Sequence, residues 1–550
     1  MRADMYGWIQ ASLVIAVVVG LHVPLGDYMA RALEGGRHLR PERALYRLCG
    51  VDPDKEQDWR HYLFALLAFS AVSIAALFAL FTLQDRLPWS LGRDGMPWRL
   101  ALHTAVSFTT NTSWQNYAGE STTGHLAVMA GLGTQAFASG AVGICVALAL
   151  VRGLVRRDTD RLGNFWVDLV RSVFRVFLPL AVVSGLLLIA LGVPQHLSGS
   201  DQLAAPVGSW ESIKLMSGDG GGVFNANSAH PLENPSAWSN TLEIVLMLLI
   251  PTALIRTYGR LVGSLKQSWT LLAVVGILFG LLLAAAHLAQ SAHTGTVGAA
   301  VGGQTEGTET RFGVPASTLF GVPASTLFGV SATASADGAA NSSYDSFSSL
   351  GGGVLLAGMM LGEVAPGGTG SGLYGLLVAV LVAVFVGGLM VGRTPEYLRK
   401  RIGTGEMRYV VLYALVAPTA ILVCSAIAVA LPGGRSSMGN PGPHGLTELV
   451  YAYTSNTAGN GSAMAGFNGA TDLHNLLMVV AMLIGRYVPV VFVLALAGRL
   501  ARQRAGVVTV GTLRPHGVNF VVLATGAALI LALLNFLPVL SLGPVAEGLL

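Results

Sequence analysis

The sequence predicts an all-α protein that crosses a membrane many times. Of its 550 residues 53% are hydrophobic and only 11% are charged, and the mean hydropathy is +0.61. That composition is too apolar for a soluble protein of this length. Long apolar runs recur along the whole chain, and four polar, glycine-rich segments interrupt them. These observations together indicate a polytopic membrane protein built around a pore.

Ten apolar runs are long enough to be spanning helices, because a bilayer core of about 30 Å requires roughly 20 residues of helix. They cover residues 8–27, 62–83, 124–151, 166–193, 237–257, 268–290, 372–392, 409–431, 473–498 and 517–541. The first run is too long for a signal-peptide core and no convincing cleavage site follows it. We therefore expect the first run to be a retained span.

The positions of the basic residues predict the orientation of these spans. Arginine and lysine collect in the five loops that follow the first, third, fifth, seventh and ninth runs. Under the positive-inside rule those loops face the cytoplasm, and both termini face outward. The strict alternation of the five loops supports the count of ten spans.

The four glycine-rich segments occupy equivalent positions in the chain. They are TTNTSWQ around Asn111, SGDGGGVFNANS around Gly220, GEVAPGGTGSG around Gly368 and TSNTAGNGS around Asn460. Each lies between a short apolar run and a long one, so the order helix, short helix, loop, helix appears four times. A kinked helix or an ordinary turn explains one such loop better, but four equivalent loops favour a pore.

Glycine and small polar residues suit a loop that binds a dehydrated cation. Such an ion must replace its water shell with oxygens, and non-helical backbone at membrane depth survives only inside protein or along a wet path. Glycine lets carbonyl groups turn inward without steric penalty. The short helix predicted at 209–217 would also direct the negative end of its dipole toward the cavity. We expect backbone oxygens from all four loops, and side-chain oxygens such as those of Asn111 and Asn460, to face the ion.

Arg486 lies near the middle of the ninth predicted span. A charge there costs at least about 2.5 kcal/mol on insertion scales, so it must face the bundle interior or a water-filled path. It is either a structural arginine that backbone carbonyls or a carboxylate satisfy, or a fixed charge below the filter. In the second interpretation Arg486 is an electrostatic barrier that prevents the cation from running straight through to the cytoplasm.

Several strings in the chain resemble a known family. The strings TNTSWQ, GGGVFNANSAHPLENP, GEVAPGGTGSGLYG, VGRTPEYLRKRIG and PLGDYMARAL are similar to those of the potassium-binding, channel-like A subunits of the Kdp potassium-transporting P-type ATPase. The resemblance runs almost end to end. It implies a fold like that of the four-repeat Trk and Ktr potassium transporters, with one extra helix at each end, which agrees with the ten spans.

The plan that this resemblance implies divides the chain into six parts. They are an N-terminal helix and cytoplasmic loop (1–60), pore repeat 1 (61–160), pore repeat 2 (161–266), pore repeat 3 with a long extracellular loop (267–407), pore repeat 4 (408–505) and a C-terminal helix (506–550). The long outer segment, about 291–345, contains a tandem duplication, FGVPASTL at 312–319 and again at 320–327. We expect that segment to be a surface loop without a function, since surface loops tolerate added length.

The resemblance also implies the residues of a potassium selectivity filter. They are Asn111, Thr112 and Ser113 in the first repeat, Asp219, Gly220 and Gly221 in the second, Gly367 and Gly368 in the third, and Asn460 and Gly461 in the fourth. Gln115, Glu120 and Glu363 adjoin these loops and are expected to support them. Asp219 stands where the family usually has asparagine, and we expect its carboxylate to strengthen capture of a cation and to weaken discrimination.

The family divides its labour between subunits, so the resemblance implies partners. It implies that this chain selects K⁺ from outside the bacterial inner membrane, that a P-type B subunit hydrolyses ATP, and that a C subunit and a small F peptide complete the complex. The residues agree with a non-catalytic role. None of the lysines follows a glycine, which excludes a Walker A loop, and Asp54 and Lys55 are followed by Glu56 rather than by the rest of a DKTG phosphorylation motif.

Two rival functions stay open at this point. A stand-alone Trk-like potassium channel or transporter would share the four repeats. An intramembrane aspartyl protease could use Asp219, but it would need a second carboxylate at membrane depth to share a proton, and the string SGDGGG offers no clear partner.

Overall fold

Nearly all of the described chain is helical. The computed structural model describes residues 2–196, 205–224, 226–292, 310–311, 314–315, 321–362, 364–504, 506 and 515–550. Within these ranges nine helices are long and apolar enough to cross a membrane, and a bent helix pair at the C-terminus makes a tenth span. This confirms the predicted fold class.

We number the spans in chain order. Spans 1 to 5 are Arg2–Glu34, Trp59–Thr82, Ala127–Val155, Phe165–Ala190 and Ala237–Leu261. Spans 6 to 10 are Leu265–Ser291, Ser371–Met390, Thr404–Ala430, Asp472–Ala501 and Val518–Gly548, the last bent by 48°. Spans 3 and 5 are mostly buried in the centre of the bundle, whereas spans such as span 4 expose Val182, Val183 and Leu186. Those side chains suit contact with lipid.

Four shorter helices enter between the spans and end near the centre of the molecule. We call them pore helices 1 to 4: Trp98–Thr109, Val207–Ser217, Gly321–Ala334 and Gly442–Ala458. The irregular segments that follow them are filter loops 1 to 4, at residues 110–116, 218–224, 335–342 and 459–465. Each pore helix and its loop lie between two consecutive spans, so the repeating unit predicted from the sequence is present four times.

The third repeat differs from the prediction. The helix before the string GEVAPGGTGSG is Ser349–Met360, which follows filter loop 3 instead of preceding it. Pore helix 3 lies instead in the outer segment that was expected to be a loop, and the second copy of FGVPASTL supplies its N-terminal half. Residues 361–370 are therefore the break between Ser349–Met360 and span 7. The first copy of FGVPASTL lies outside the described residues except for Val314 and Pro315.

The remaining elements are short. The α-helices are Arg40–Leu48, Gly119–Thr122 and Pro432–Arg435, the 3₁₀ helices are Gln84–Arg86, Asn227–Ala229 and Tyr344–Ser346, and π-helical turns occur at Ala127–Gly133, Ser172–Phe177 and Ser541–Val545. Three antiparallel strand pairs join Gln57–Asp58 to Arg161–Gly163, Thr310–Arg311 to Val314–Pro315, and Glu396–Tyr397 to Lys400–Arg401.

Charged side chains tie the helix ends together on the side that carries the basic loops. The Arg152 guanidinium donates to both carboxylate oxygens of Asp168, and the Tyr62 hydroxyl donates to the same carboxylate at 2.8 Å. The Lys400 ammonium donates to three backbone carbonyls, of Arg156, Leu500 and Gln503. These contacts join the ends of spans 2, 3, 4 and 9 to one another and to the hairpin that follows span 7.

Candidate ion-binding site

The four filter loops meet in a closed ring. A methyl group built on Gly221 would lie 3.1 Å from the carbonyl oxygen of Ser113, so loops 1 and 2 touch. A methyl group on Gly338 would lie 2.7 Å from Gly220 Cα and 2.9 Å from the carbonyl oxygen of Asn460, so loop 3 touches loops 2 and 4.

Loop 4 then closes the ring onto loop 1. A methyl group on Gly461 would collide with the carbonyl oxygen of Thr112. Gly221 and Gly461 also have φ of +74° and +95°, which glycine adopts without strain. Each junction thus brings backbone against backbone with no room for a side chain.

The pore helices direct their C-terminal ends at this ring. Pore helices 2 and 4 both end at a glycine in the left-handed conformation, Gly218 at φ +63° and Gly459 at φ +84°. Such glycine caps turn the chain sharply at the end of the helix, so the loop that follows begins beside the ring. The negative ends of the helix dipoles favour a cation there.

Asparagine side chains cross from one repeat to another. The Asn111 amide in loop 1 donates to the carbonyl of Gly218 in loop 2, and the Asn460 amide in loop 4 donates to the carbonyl of Ala332 in pore helix 3 at 3.1 Å. The side-chain oxygen of Asn460 accepts from the backbone N–H of Ser462 at 3.1 Å. Asn460 therefore braces the ring, and its side-chain oxygen is already engaged, which differs from the expectation that this oxygen faces an ion.

Three side-chain oxygens of the predicted residues are buried in or beside the ring without a hydrogen-bond partner among the described residues. They belong to the Asn111 amide, the Ser113 hydroxyl and the Asp219 carboxylate. A buried oxygen without a donor is costly unless another group satisfies it. A dehydrated cation in the ring would supply such a group.

Loop 3 contributes residues that the sequence analysis did not single out. Asp337 is fully buried, and its neighbour Gly338 donates its N–H to the carbonyl of Asp219 in loop 2 at 3.0 Å. Gly367 and Gly368, which were expected in this position, do not lie at a junction of the ring. The Gly367 N–H donates to the carbonyl of Ala334, and Gly368 packs against Ala336, so both lie behind loop 3.

The local sequence does carry a signal for the position of loop 3. The apolar string FGVPASTLFGV is followed by the small polar string SADGAANSS, which is the same order as in the other three repeats. The tandem duplication hides this order, because it makes the whole segment resemble a low-complexity loop.

The three predicted supporting residues have different positions. The Gln115 side chain accepts from the backbone N–H of Gly222 at 2.9 Å and donates to the Tyr117 hydroxyl, so it joins loop 1 to loop 2. Glu120 lies in the short helix Gly119–Thr122, where its backbone carbonyl accepts from Arg93, and it is not part of the ring. Glu363 lies outside the described residues.

Cavities lie on both sides of the ring. The cavity on the side away from the basic loops, which we call the outer cavity, has a volume of about 750 Å³, and Ser113, Gly221, Gly338 and Gly461 form part of its wall. The cavity on the other side, which we call the inner cavity, has a volume of about 160 Å³ and extends from the end of pore helix 4 to Asn535 and Phe536, just beyond the bend of span 10.

Arg486 forms part of the wall of the inner cavity. Its guanidinium donates to the carbonyl of Ser139 in span 3 at 3.1 Å, and it is close enough to Asp219 to interact electrostatically. The neighbouring Gly485 packs against the carbonyl of Thr457, which seats span 9 against the end of pore helix 4. The position of Arg486 is therefore consistent with both of the roles considered for it.

A charged cluster joins pore helix 4 to the C-terminus on the outer side. The His444 imidazole lies 3.0 Å from the Glu547 carboxylate through Nδ1 and 3.2 Å from the Asp345 carboxylate through Nε2. Glu448, one turn along pore helix 4, accepts from the backbone N–H of Gly439. Burial alone lowers the pKa of His444, but the hydrogen bonds to Asp345 and Glu547 outweigh burial and raise this pKa to about 10.

We expect His444 to stabilise the outer half of the molecule in a pH-dependent way. Its pKa is higher in the folded state than in the unfolded state, where it is about 6.5, so its contribution is complete below pH 6.5 and is lost as the pH rises through about 10. His444→Gln should lower the melting temperature most at pH 6, and the difference from the wild type should shrink toward pH 10. His61→Gln, at the exposed start of span 2, is the control, and a difference that is constant with pH would contradict this prediction.

The fold resembles that of a solved potassium transporter. TrkH from Vibrio parahaemolyticus superimposes with a TM-score of 0.53 at 12% sequence identity, covering 88% of this chain and 96% of that one. At this identity the likeness shows the fold alone, a four-repeat arrangement of the potassium transporter type.

Sequence comparison shows the family. The model of the Potassium-transporting ATPase A subunit matches residues 12–549. The chain is 51% identical to the potassium-transporting ATPase potassium-binding subunit of Mycobacterium sp. (strain KMS), over 98% of both chains. It is 50% identical to the subunit of the same name from Mycolicibacterium smegmatis, again over 98% of both. This chain belongs to the family of potassium-transporting ATPase A subunits.

Proposed function

We propose that the ring of filter loops binds and selects K⁺ for an ATP-driven uptake complex. The observation that carries the proposal is the ring itself, in which backbone from four repeats converges at four pore-helix ends. Asn111, Thr112 and Ser113 supply loop 1, Asp219 to Gly221 supply loop 2, and Asn460 with Gly461 supply loop 4. Asp337 and Gly338 take the place in loop 3 that the sequence analysis gave to Gly367 and Gly368.

We further propose a division of labour within that complex. K⁺ enters from the extracytoplasmic side of the bacterial inner membrane, with both termini on that side, and loses its water in the ring. Arg486 repels it from the direct route inward, so the ion leaves sideways through the inner cavity toward span 10. A P-type B subunit receives it and hydrolyses ATP, and a C subunit and a small F peptide complete the assembly.

A stand-alone potassium channel or transporter is the second candidate, because the fold resembles that of TrkH. The two functions differ in what drives the flux. ATPase activity of the purified complex should rise with K⁺ concentration and saturate if this chain delivers K⁺ to a pump. ATP-independent K⁺ flux through this chain alone in liposomes, with no K⁺-stimulated ATPase activity, would mean a channel.

Asp219→Asn tests the ring within the same assay. The carboxylate adds a negative charge to loop 2, so its removal should raise the K⁺ concentration for half-maximal ATPase activity and increase the preference for K⁺ over Rb⁺. Asp472→Asn is the matched control, since Asp472 is an exposed outer carboxylate paired with Arg99 at 2.6 Å. If Asp219→Asn leaves the affinities for both ions unchanged, the carboxylate has no part in ion capture.

A further inference from the structure

A fully buried lysine lies behind the ring, in pore helix 2. The Lys214 ammonium has no exposed surface, and it donates to the Glu211 carboxylate at 2.7 Å, the Asn227 side-chain oxygen at 2.9 Å and the Ser228 hydroxyl at 2.8 Å. Ser228 in turn donates to the other oxygen of Glu211 at 3.0 Å. All three ammonium protons are therefore used, as burial of a charge requires.

Asn227 connects this lysine to the ring. Its side-chain amide donates to the carbonyl of Gly338 in loop 3 at 2.9 Å. Gly338 also donates its own N–H to the carbonyl of Asp219. The backbone nitrogen and the backbone oxygen of Gly338 are thus both hydrogen-bonded to residues of the second repeat. These two bonds fix the orientation of the loop 3 backbone where it meets loops 2 and 4.

The lysine determines which way the asparagine amide points. An amide group can rotate by half a turn and exchange its oxygen and its NH₂ group. In Asn227 that rotation would place the NH₂ group against the ammonium of Lys214 and the oxygen against the carbonyl of Gly338. Both new contacts would be repulsive, so the buried cation keeps the donor aimed at loop 3.

The backbone of Asn227 also suits this task. It has φ +54°, a left-handed conformation that asparagine tolerates better than most residues with a side chain. The residue opens the short helix Asn227–Ala229, within the string NANSAHPLENP. The function proposed above gives no role to that string.

We propose that Lys214 and Asn227 are positioning residues that hold the Gly338 carbonyl and thereby set the affinity and selectivity of the ring for K⁺. Neither residue needs to touch the ion, because they act through the backbone of loop 3. The inference rests on the proposed function of the ring, since it assumes that loop 3 contributes to ion binding.

Asn227→Asp in the complete complex is the sharpest test. It keeps the oxygen that accepts from Lys214 and the tolerance for φ +54°, but it replaces the donor to Gly338 by a second acceptor. We expect the K⁺ concentration for half-maximal ATPase activity to rise about tenfold, the size of effect that loss of one buried hydrogen bond produces. The K⁺ over Rb⁺ ratio should fall while the maximal rate stays close to that of the wild type.

Two further variants test the same inference in case Asn227→Asp does not fold. Asn227→Gly removes the whole side chain at a φ that glycine accepts, and the double variant Lys214→Met with Glu211→Gln removes the ion pair without changing the net charge of the cluster. Asn227→Gly and the double variant should both raise the K⁺ concentration for half-maximal ATPase activity, as Asn227→Asp does. Ser212→Ala is the control, because Ser212 lies on the same pore helix and bonds to Ser184 and to the carbonyl of Ala181, away from the ring.

The outcomes separate this inference from the proposed function. If Gly220→Ala alters the K⁺ dependence but the Asn227 variants and the double variant do not, the ring binds K⁺ and the positioning role is wrong. If all of them leave the K⁺ dependence unchanged, the ring itself is not the site of selection. A loss of maximal rate and melting temperature with an unchanged half-saturating K⁺ concentration would reduce Lys214 and Asn227 to a structural role.

Discussion

Gly220→Asp should weaken K⁺ binding strongly. A β-carbon at Gly220 would lie 2.8 Å from Gly338 Cα and 3.3 Å from its nitrogen, so the new side chain meets backbone that cannot rotate away. Overpacking of this kind costs about 1–3 kcal/mol, which corresponds to a rise in the half-saturating K⁺ concentration of roughly 5- to 160-fold. The added carboxylate, next to Asp219, should also reduce discrimination against Rb⁺ and Na⁺.

The measurement is ATPase activity of the purified complex against K⁺, Rb⁺ and Na⁺ concentration. Gly220→Ala separates the steric effect from the charge, because it adds only the β-carbon. Gly280→Ala in span 6 is the matched control, since no heavy atom lies within 4 Å of the place of its new methyl group. Wild-type K⁺ dependence in both Gly220 variants would mean that selection occurs elsewhere.

Arg486→Gln should open a leak. In the proposed pathway the guanidinium is a fixed positive charge beside the inner cavity, and at 4 Å it would repel a second unit charge by roughly 4 kcal/mol at an effective dielectric constant of 20. Glutamine removes the charge and keeps an amide donor in place of the guanidinium that bonds to the carbonyl of Ser139. We expect K⁺ flux without ATP to rise at least about tenfold in proteoliposomes, and ATP hydrolysis to become poorly coupled to transport.

Arg504→Gln is the control for that experiment. Arg504 is an exposed arginine near the end of span 9, and it pairs with the exposed Asp158 at 3.1 Å. A charge that solvent surrounds contributes little, so this variant should behave like the wild type. If Arg486→Gln complexes show no ATP-independent K⁺ flux and normal coupling of ATP hydrolysis to transport, the barrier role is wrong. Arg486 would then be a structural residue whose charge is satisfied by a backbone carbonyl.

The sequence predicted the spans well because hydropathy is a local property. Each span needs only its own run of apolar residues, and span 7 begins at Ser371, one residue before the predicted start. The charges of the loops, which also are local, supported the count of ten. The repeating unit followed from the same runs together with the polar strings between them.

The ring could be predicted only in part, because its contacts join residues far apart in the chain. Nothing near Asn227 in the sequence shows that its amide reaches Gly338, 111 residues away. Loop 3 was assigned to Gly367 and Gly368 because they lie in the glycine-rich string GEVAPGGTGSG, which also follows an apolar run. Only the packing shows that Gly338 is the glycine that meets Gly220.

The duplication that forms pore helix 3 has a consequence for the length of the chain. Its first half is the second of two identical eight-residue copies, so deletion of either copy yields the same sequence, FGVPASTLFGVSATA, ahead of loop 3. Loss of one copy would therefore shorten the chain by eight residues while the residues that enter the ring stay unchanged. The duplication makes this stretch a place where the chain can differ in length without a change in the filter loop.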